Sequence, residues 1–416
     1  MNPLPPDSRI ERLRRDHETG GLAALEAFWK AVSVQGTPLV EPLPDEPDRS
    51  LVTFIWRGDQ TTGGVRLHAA VDGAGEDEHD LVQLAGTDLW YAGFLLRNDY
   101  HAAYKFEVSG PDGPNGVYEA PDPFNPKTFI EPHDPERVDQ AEDDVDSVIE
   151  LPEAPPRPWT RRTPDAPSGT VTPHLFQSRS LGNERRIWIY PPPGSRAGGE
   201  PYDLLVVLDG RFFAFAVGAP IVLDYLQGER RIPPLAAVFV DNPGETWEAA
   251  DAARGTELAC RPAFAEILAG ELLPWLRAIH PITVESGRTT LAGGSLGGLA
   301  AAHAVLERPD AFGNALSLSG SFWWRPEGDP EWEWLARRIP PARGAARRFF
   351  IEVGLLESAP RPNGYPGQLL ANRHMRDVLQ AAGHEVHYTE AMHGHDSLSW
   401  AAGLAEGLSA LHGSAP

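Results

Sequence analysis

The sequence predicts a chain in two parts: an all-β module, then an α/β fold in which helices wrap a mostly parallel sheet. Three observations carry that expectation. Between 51 and 110 the apolar runs are short, rich in aromatic and β-branched residues, and bounded by turn residues. After about 168, strand-like runs alternate with helical ones, the pattern of a parallel sheet covered on both faces. Between these regions the chain turns acidic and then Pro-rich, ending in ELPEAPPRPWTRRTPDAP, which reads as a linker. The expected boundaries are 1–155 for a β-sandwich, 156–167 for the linker and 168–416 for the α/β domain.

The elements follow in order. A helical pattern, LAALEAFWKAV, comes before the first strands. LVTFIWRG (51–58), GVRLHAAV (64–71), LWYAGFLL (89–96) and AAYKFEVSG (102–110) are the strands of the first module, and DPFNPKTF (122–129) is a loop. In the second part, strands are expected at 185–192, 203–210, 235–241, 289–292, 314–320, 348–354 and 384–391. Helices are expected near 215–227 and at 264–280, 299–307, 367–383 and 397–413.

Composition narrows the function. A formal net charge of −23 over 416 residues argues against nucleic acid or an anionic membrane as a partner. It says less about a small anionic ligand, which feels its local pocket. The single cysteine excludes an internal disulfide. The first residues, MNPLPPDSRIERLRRDHETGG, lack an apolar signal-peptide core, and no run approaches the ~20 apolar residues of a membrane span. A soluble, cytoplasmic protein is expected. No close His/Cys/Asp group has metal-ligand spacing, and H-G-H at 393–395 is too short to count. No metal site or cofactor is expected.

The stretch LAGGSLGGLAAAHAVLE (291–307) puts one serine among four glycines, between a strand-like and a helix-like run. G-G-S-L-G fits G-x-S-x-G, the nucleophile elbow, in which a strained turn presents the Ser295 hydroxyl above the sheet. The alternative is a Gly-rich turn that happens to contain a serine. A base is expected after the last strand, where MHGHDSLSW offers His395, with His393 as rival. Asp396 reads as a helix N-cap. The orienting acid should follow the preceding strand, where RFFIEVGLLES offers Glu357 in the loop and Glu352 within the strand. Oxyanion donors are expected from the N–H of Leu296 and of Gly210 or Arg211, in the turn after VVLDG.

Taken in order, LDGRFF, RGTELACRPAFAEILAGELLPWL, GGSLGGLAA, LSLSGSFWW and GHDSLSW resemble the enterochelin esterase family, of the esterase D-like α/β-hydrolases. FWKAVSVQGTPLVE, VTFIWRG, DYHAAYKFE and DPFNPKTF resemble that family's N-terminal β-sandwich, so the likeness spans roughly 22–412. The resemblance implies an α/β hydrolase that cleaves esters in the trilactone backbone of a catecholate siderophore, usually as its ferric complex. It implies Ser295 as nucleophile, His395 as base and a substrate-facing Arg254, with iron arriving only as part of the substrate. A guanidinium offers several donors to catecholate oxygens, and Glu257 is read as its partner or as a cap. Trp323 and Trp324 follow a strand end and are read as stacking platforms for catechol rings, or else as simple packing. Cys260 is read as a buried small residue. The Pro- and Gly-rich SAPRPNGYPGQ after Glu357 departs from a plain acid loop. The same fold also serves feruloyl, acetyl-sugar and thioester substrates, and a catalytically inert siderophore binder is the non-enzymatic alternative.

Overall fold

The computed structural model describes residues 4–71, 78–110, 113–160, 168–195, 200–342, 346–359 and 364–413. The chain divides into two compact units. The first comprises Met1–Ile130, Asp144–Pro155 and Met392–Asp396; the second comprises Glu131–Asp143, Pro156–Ala391 and Ser397–Pro416. Two short excursions therefore interrupt the contiguous division at 155 that composition suggests, because segments this short leave no compositional signature. Residues 161–167 of the expected linker lie outside the described residues.

The first unit opens with two helices, α1 (Arg9–Gly20) and α2 (Leu22–Gln35). Ser8 caps α1 by accepting the Glu11 N–H at 3.3 Å. The strands are β1 (Leu39–Leu43), β2 (Glu46–Arg57), β3 (Gly64–His68), β4 (Glu78–Asp80), β5 (Val82–Gln83), β6 (Leu89–Arg97), β7 (His101–Gly110), β8 (Gly113–Ala120), β9 (Thr128–Glu131) and β10 (Asp144–Glu150). They form one sheet in the order β1-β2-β6-β5 and another in the order β4-β3-β7-β10-β9, with β8 paired to β7. Alternation along β7 points Tyr104, Phe106 and Val108 inward. Tyr104 meets Phe54 of β2 edge-on at 4.9 Å, and Phe106 meets Trp56 at 5.4 Å, so the inner faces of the two sheets share one aromatic core. Trp29 of α2 joins Ile55, Leu89 and Tyr91 in a second cluster.

The second unit holds β11 (Thr172–Ser178), β12 (Asn183–Tyr190), β13 (Asp203–Leu208), β14 (Leu235–Val240), β15 (Thr289–Gly294), β16 (Asn314–Leu318), β17 (Arg348–Gly354) and β18 (Glu385–Ala391). Its helices are α3 (Gly210–Phe215), α4 (Ala219–Gly228), α5 (Trp247–Glu257), α6 (Pro262–Ile267), α7 (Leu273–Ile279), α8 (Leu296–Glu307), α9 (Gln368–Ala381) and α10 (Ser397–His412). The strand order is β11-β12-β14-β13-β15-β16-β17-β18. β11–β12 and β12–β14 pair antiparallel; the remaining pairs are parallel. Every residue of β13 is buried, because both faces of the sheet are covered. Leu204, Val206 and Leu208 enter one core with α6, α8 and α9, while Leu205 and Val207 enter the other with α3, α4 and α10.

Two local outcomes differ from the sequence reading. The single helix expected at 264–280 is α6 and α7 joined through a π-helical turn, Leu268–Leu272. Pro274 lacks an N–H and crowds the carbonyl four residues back, so the ladder widens there to keep the chain helical. The helix expected near 215–227 is α4, entered through Gly218 at φ 71°, and the short α3 before it, at Gly210–Phe215, was not expected from the sequence. Among the described residues no helix is long and apolar enough to cross a membrane.

Helix α8 buries His303, with Glu307 Oε1 3.9 Å from Nε2. Burial pushes the imidazole pKa down to about 4. The unfolded chain then binds the proton first, so this site supports folding fully above about pH 6.5 and loses that support as pH falls towards 4. The expected loss is roughly 2 kcal/mol at pH 5. Denaturant unfolding of His303→Gln at pH 5 and pH 7.5 should show a correspondingly smaller pH dependence than wild type.

Candidate active site

β15 ends at Gly294, and α8 begins at Leu296. Ser295 between them has φ 55° and ψ −119°, a strained conformation for a non-glycine residue. The neighbouring glycines are there for space. A Cβ on Gly293 would lie 2.5 Å from the Gly297 carbonyl carbon, and one on Gly294 would lie 2.6 Å from the Trp400 ring. The turn is pinned by three backbone bonds: Ser295 N–H to Leu318 O at 2.9 Å, Leu299 N–H to Ser295 O at 3.1 Å, and Ser321 N–H to Ser295 O at 2.9 Å. The Ser295 hydroxyl is half-buried and lies 3.2 Å from the Ser321 hydroxyl. Leu296 opens α8, and Gly210 and Arg211 open α3. All three N–H groups belong to first turns, which a helix leaves without intrahelical acceptors.

Glu357 lies three residues beyond β17 and is buried, 8% exposed. Its Oε1 accepts from the Ser319 hydroxyl at 2.6 Å and from the Gly354 N–H at 2.8 Å. Glu352 lies inside β17 and faces α10, where a Cβ on Gly403 would stand 3.1 Å from its Oε2.

Asp209, between β13 and α3, is in the left-handed region, φ 54° and ψ 50°. Its Oδ1 accepts from Arg254 Nε at 2.8 Å and Asn242 Nδ2 at 2.7 Å, and its Oδ2 from Arg254 Nη2 at 3.0 Å. This fork fixes the guanidinium and engages two of its five donors. Both residues line a cavity of about 200 Å³ with Arg211, Phe212, Trp247 and Trp400. The cavity adjoins the elbow: Trp400 is the ring against Gly294, and Asp209 Oδ2 lies 3.1 Å from where a Cβ of Gly297 would be. Arg211 donates to the carbonyls of Pro132 (2.8 Å) and His133 (2.5 Å). Beside it Asp134 is ion-paired with Arg186. Burial works against this carboxylate, but the Arg186 bonds outweigh it and hold its pKa below the usual range.

This arrangement sits on a chain with known relatives. Residues 178–411 match the family described as esterase, and residues 51–160 match the one described as enterochelin esterase, N-terminal. An iron(III) enterobactin esterase from Dickeya dadantii is 30% identical, with 93% of this chain and 92% of that protein covered. A ferric enterobactin esterase from Salmonella typhimurium superposes with a TM-score of 0.76 at 28% identity, covering 93% and 98% of the two chains. An enterobactin esterase from Shigella flexneri, solved in the presence of enterobactin, gives 0.72 at 26% identity over 93% and 97%.

The chain belongs to the enterochelin esterase family. It is a carboxylic ester hydrolase with an α/β-hydrolase-like fold and an N-terminal domain.

Ser295, Leu296, Glu357, Gly210, Arg211 and Arg254 all lie in the second unit, at or just beyond the carboxyl ends of strands, or in α5. His395 lies in the five-residue segment Met392–Asp396 that joins β18 to α10 and is counted with the first unit; its side chain is exposed. In that segment the buried His393 has Nδ1 2.7 Å from the Gly394 carbonyl, and its ring lies 6.1 Å from that of His101. Asp396 accepts the Ala103 N–H at 2.7 Å. Trp323 and Trp324 sit in an aromatic group, Trp323 4.8 Å from Tyr365 and Trp324 5.9 Å from Trp334, and do not line the Arg254 cavity.

One pairing is corrected. Glu257 does not serve Arg254. It takes Arg185 of β12 in a buried fork, Nη1–Oε2 2.8 Å and Nη2–Oε1 3.0 Å. Arg254 and Glu257 are three apart on α5, but Asp209 holds Arg254, and Glu257, 4% exposed, is turned inward. Sequence reasoning missed Asp209 as the partner of Arg254, and also Asn242, Trp247 and Trp400. No local signal marks these. Asp209 and Arg254 are 45 residues apart and meet only because their elements follow adjacent strands β13 and β14.

Proposed function

We propose that this enzyme hydrolyses ester bonds in the trilactone backbone of a catecholate siderophore, taken as its ferric complex, and so frees the iron. The observation that carries the reading is similarity along nearly the whole chain to iron(III) enterobactin esterases, on a chain whose elbow is intact. In this reading Ser295 Oγ attacks an ester carbonyl while His395 takes its proton. Glu357, whose Oε1 accepts from Ser319 and Gly354, is assigned as the acid that orients the imidazole. The N–H groups of Leu296 and of Gly210 or Arg211 receive the oxyanion. His395 then returns the proton to the departing serine hydroxyl of the trilactone. Water, deprotonated by His395, cleaves the acyl-enzyme and releases the acid.

The chain order Ser295, Glu357, His395 supports these roles, as does the common direction of β15, β17 and β18, which end at one edge of the sheet. Arg254, preorganised by Asp209, is the assigned donor to catecholate oxygens, and the aromatic walls of its cavity suit a catechol ring. Trp323 and Trp324 are kept as secondary aromatic contacts at the rim. Iron enters as part of the substrate, and the chain needs no resident cofactor. The N-terminal unit is assigned as the family's β-sandwich, and the enzyme is assigned to the cytoplasm, in keeping with its lone buried cysteine.

The test is hydrolysis of ferric and iron-free enterobactin, with chromatography of the products. Release of dihydroxybenzoyl-serine units is the expected result. Turnover of a simple aryl ester alone would move the natural substrate to another acyl class. In the same assay Arg254→Ala should lower kcat/KM for the ferric siderophore by about 10- to 100-fold, the worth of a charge-assisted hydrogen bond. It should leave a small aryl acetate nearly unaffected, and an equal loss on both substrates would contradict a binding role.

A further inference from the structure

β16 runs into the turn Ser319-Gly320-Ser321, which meets both the nucleophile and the buried carboxylate. At one end, the Ser321 hydroxyl lies 3.2 Å from Ser295 Oγ, and the Ser321 N–H binds the Ser295 carbonyl at 2.9 Å. At the other, the Ser319 hydroxyl donates to Glu357 Oε1 at 2.6 Å. Trp400 Nε1 reaches the same hydroxyl at 3.3 Å. An indole N–H can only donate, so the Ser319 oxygen accepts from it and its own proton is directed to the carboxylate. Ser319 is fully buried with φ 48°, a conformation that costs a non-glycine residue about 1 kcal/mol or more. α9 holds the turn, with Asn372 Nδ2 donating to Gly320 O at 2.8 Å and Gln368 Nε2 donating to Ser319 O.

We propose that this turn is a rigid tie between nucleophile and acid, in which Ser319 is a positioning residue that holds Glu357 for the base. The proposal rests on Glu357 being the orienting acid. A strained residue with a spent hydroxyl has no evident packing advantage over glycine here, whereas a fixed carboxylate needs a directed donor. Ser321 supplies the matching contact on the nucleophile side, so the spacing of the two catalytic groups is set within three residues.

The experiment is a double-mutant cycle on the ester hydrolysis rate, with Ser319→Gly, Glu357→Gln and the double variant. Glycine removes the hydroxyl while suiting the positive φ, so the fold is kept, and thermal unfolding of the variant checks this. Ser319→Gly should lower kcat about 10-fold with KM within about 2-fold of wild type. In the Glu357→Gln background the same change should cost less than about 2-fold, since the residue acts through the carboxylate. An undiminished loss in that background would overturn the positioning role, as would wild-type kcat for Ser319→Gly. If Glu357→Gln alone kept the wild-type rate, Glu357 would not be the acid, and the role of Ser319 would fall with it.

Discussion

Ser295→Ala is expected to lower kcat for ester hydrolysis by about 10⁴- to 10⁶-fold. Without Oγ no acyl-enzyme forms. The donors at Leu296 and at Gly210 or Arg211 can stabilise only the slow attack of water, which accounts for the residual rate. The loss should appear in kcat with KM little changed. Stability gives an independent check. Ser295 holds φ 55°, and its backbone bonds to Leu318 and Ser321 survive substitution of the side chain, so alanine inherits the strain and glycine relieves it. Ser295→Gly should be as inactive as the alanine variant yet unfold at the same or a higher temperature, about 1 kcal/mol more stable. Wild-type turnover in either variant would remove Ser295 from the mechanism. Lost activity together with a lowered unfolding temperature would mean that the elbow, not the hydroxyl, had been damaged.

The second large effect falls on stability. Glu257→Ala should cost about 3 to 5 kcal/mol in denaturant unfolding, because it leaves the Arg185 guanidinium buried without its carboxylate. Both side chains are no more than 5% exposed, and Asn183, which also donates to Glu257 at 3.2 Å, loses an acceptor as well. At a temperature where the variant is folded, KM for the siderophore should stay near wild type. A variant of ordinary stability with a raised KM would instead restore Glu257 as the support of Arg254. The measurement therefore separates two roles for a glutamate that local spacing alone cannot tell apart.

The two predictions differ in how far the sequence could have led to them. The elbow is a local object. Strand, four glycines, serine and helix are contiguous, and the demand for small neighbours follows from the turn itself, so 291–307 already contained its geometry. The alternation of strands and helices after 168 was legible for the same reason, since side-chain period reports how each segment is covered. Elsewhere the signal misled or was silent. The helical period across 264–280 concealed a π turn, because a proline perturbs the backbone without breaking the apolar stripe. α5, which carries Arg254, showed no strong period, and the excursions at 131–143 and 392–396 had no compositional mark.

What the sequence by itself determined is the class of chemistry, since that is carried by short contiguous motifs such as the elbow at 291–307. Only the tertiary structure decided the partners. Asp209 takes Arg254, Arg185 takes Glu257, and Ser319 takes Glu357 across separations of 45, 72 and 38 residues. The physical reason is that a buried ionic or polar group must be paired wherever the fold brings a complement within about 3 Å, and strand order sets that proximity rather than distance along the chain.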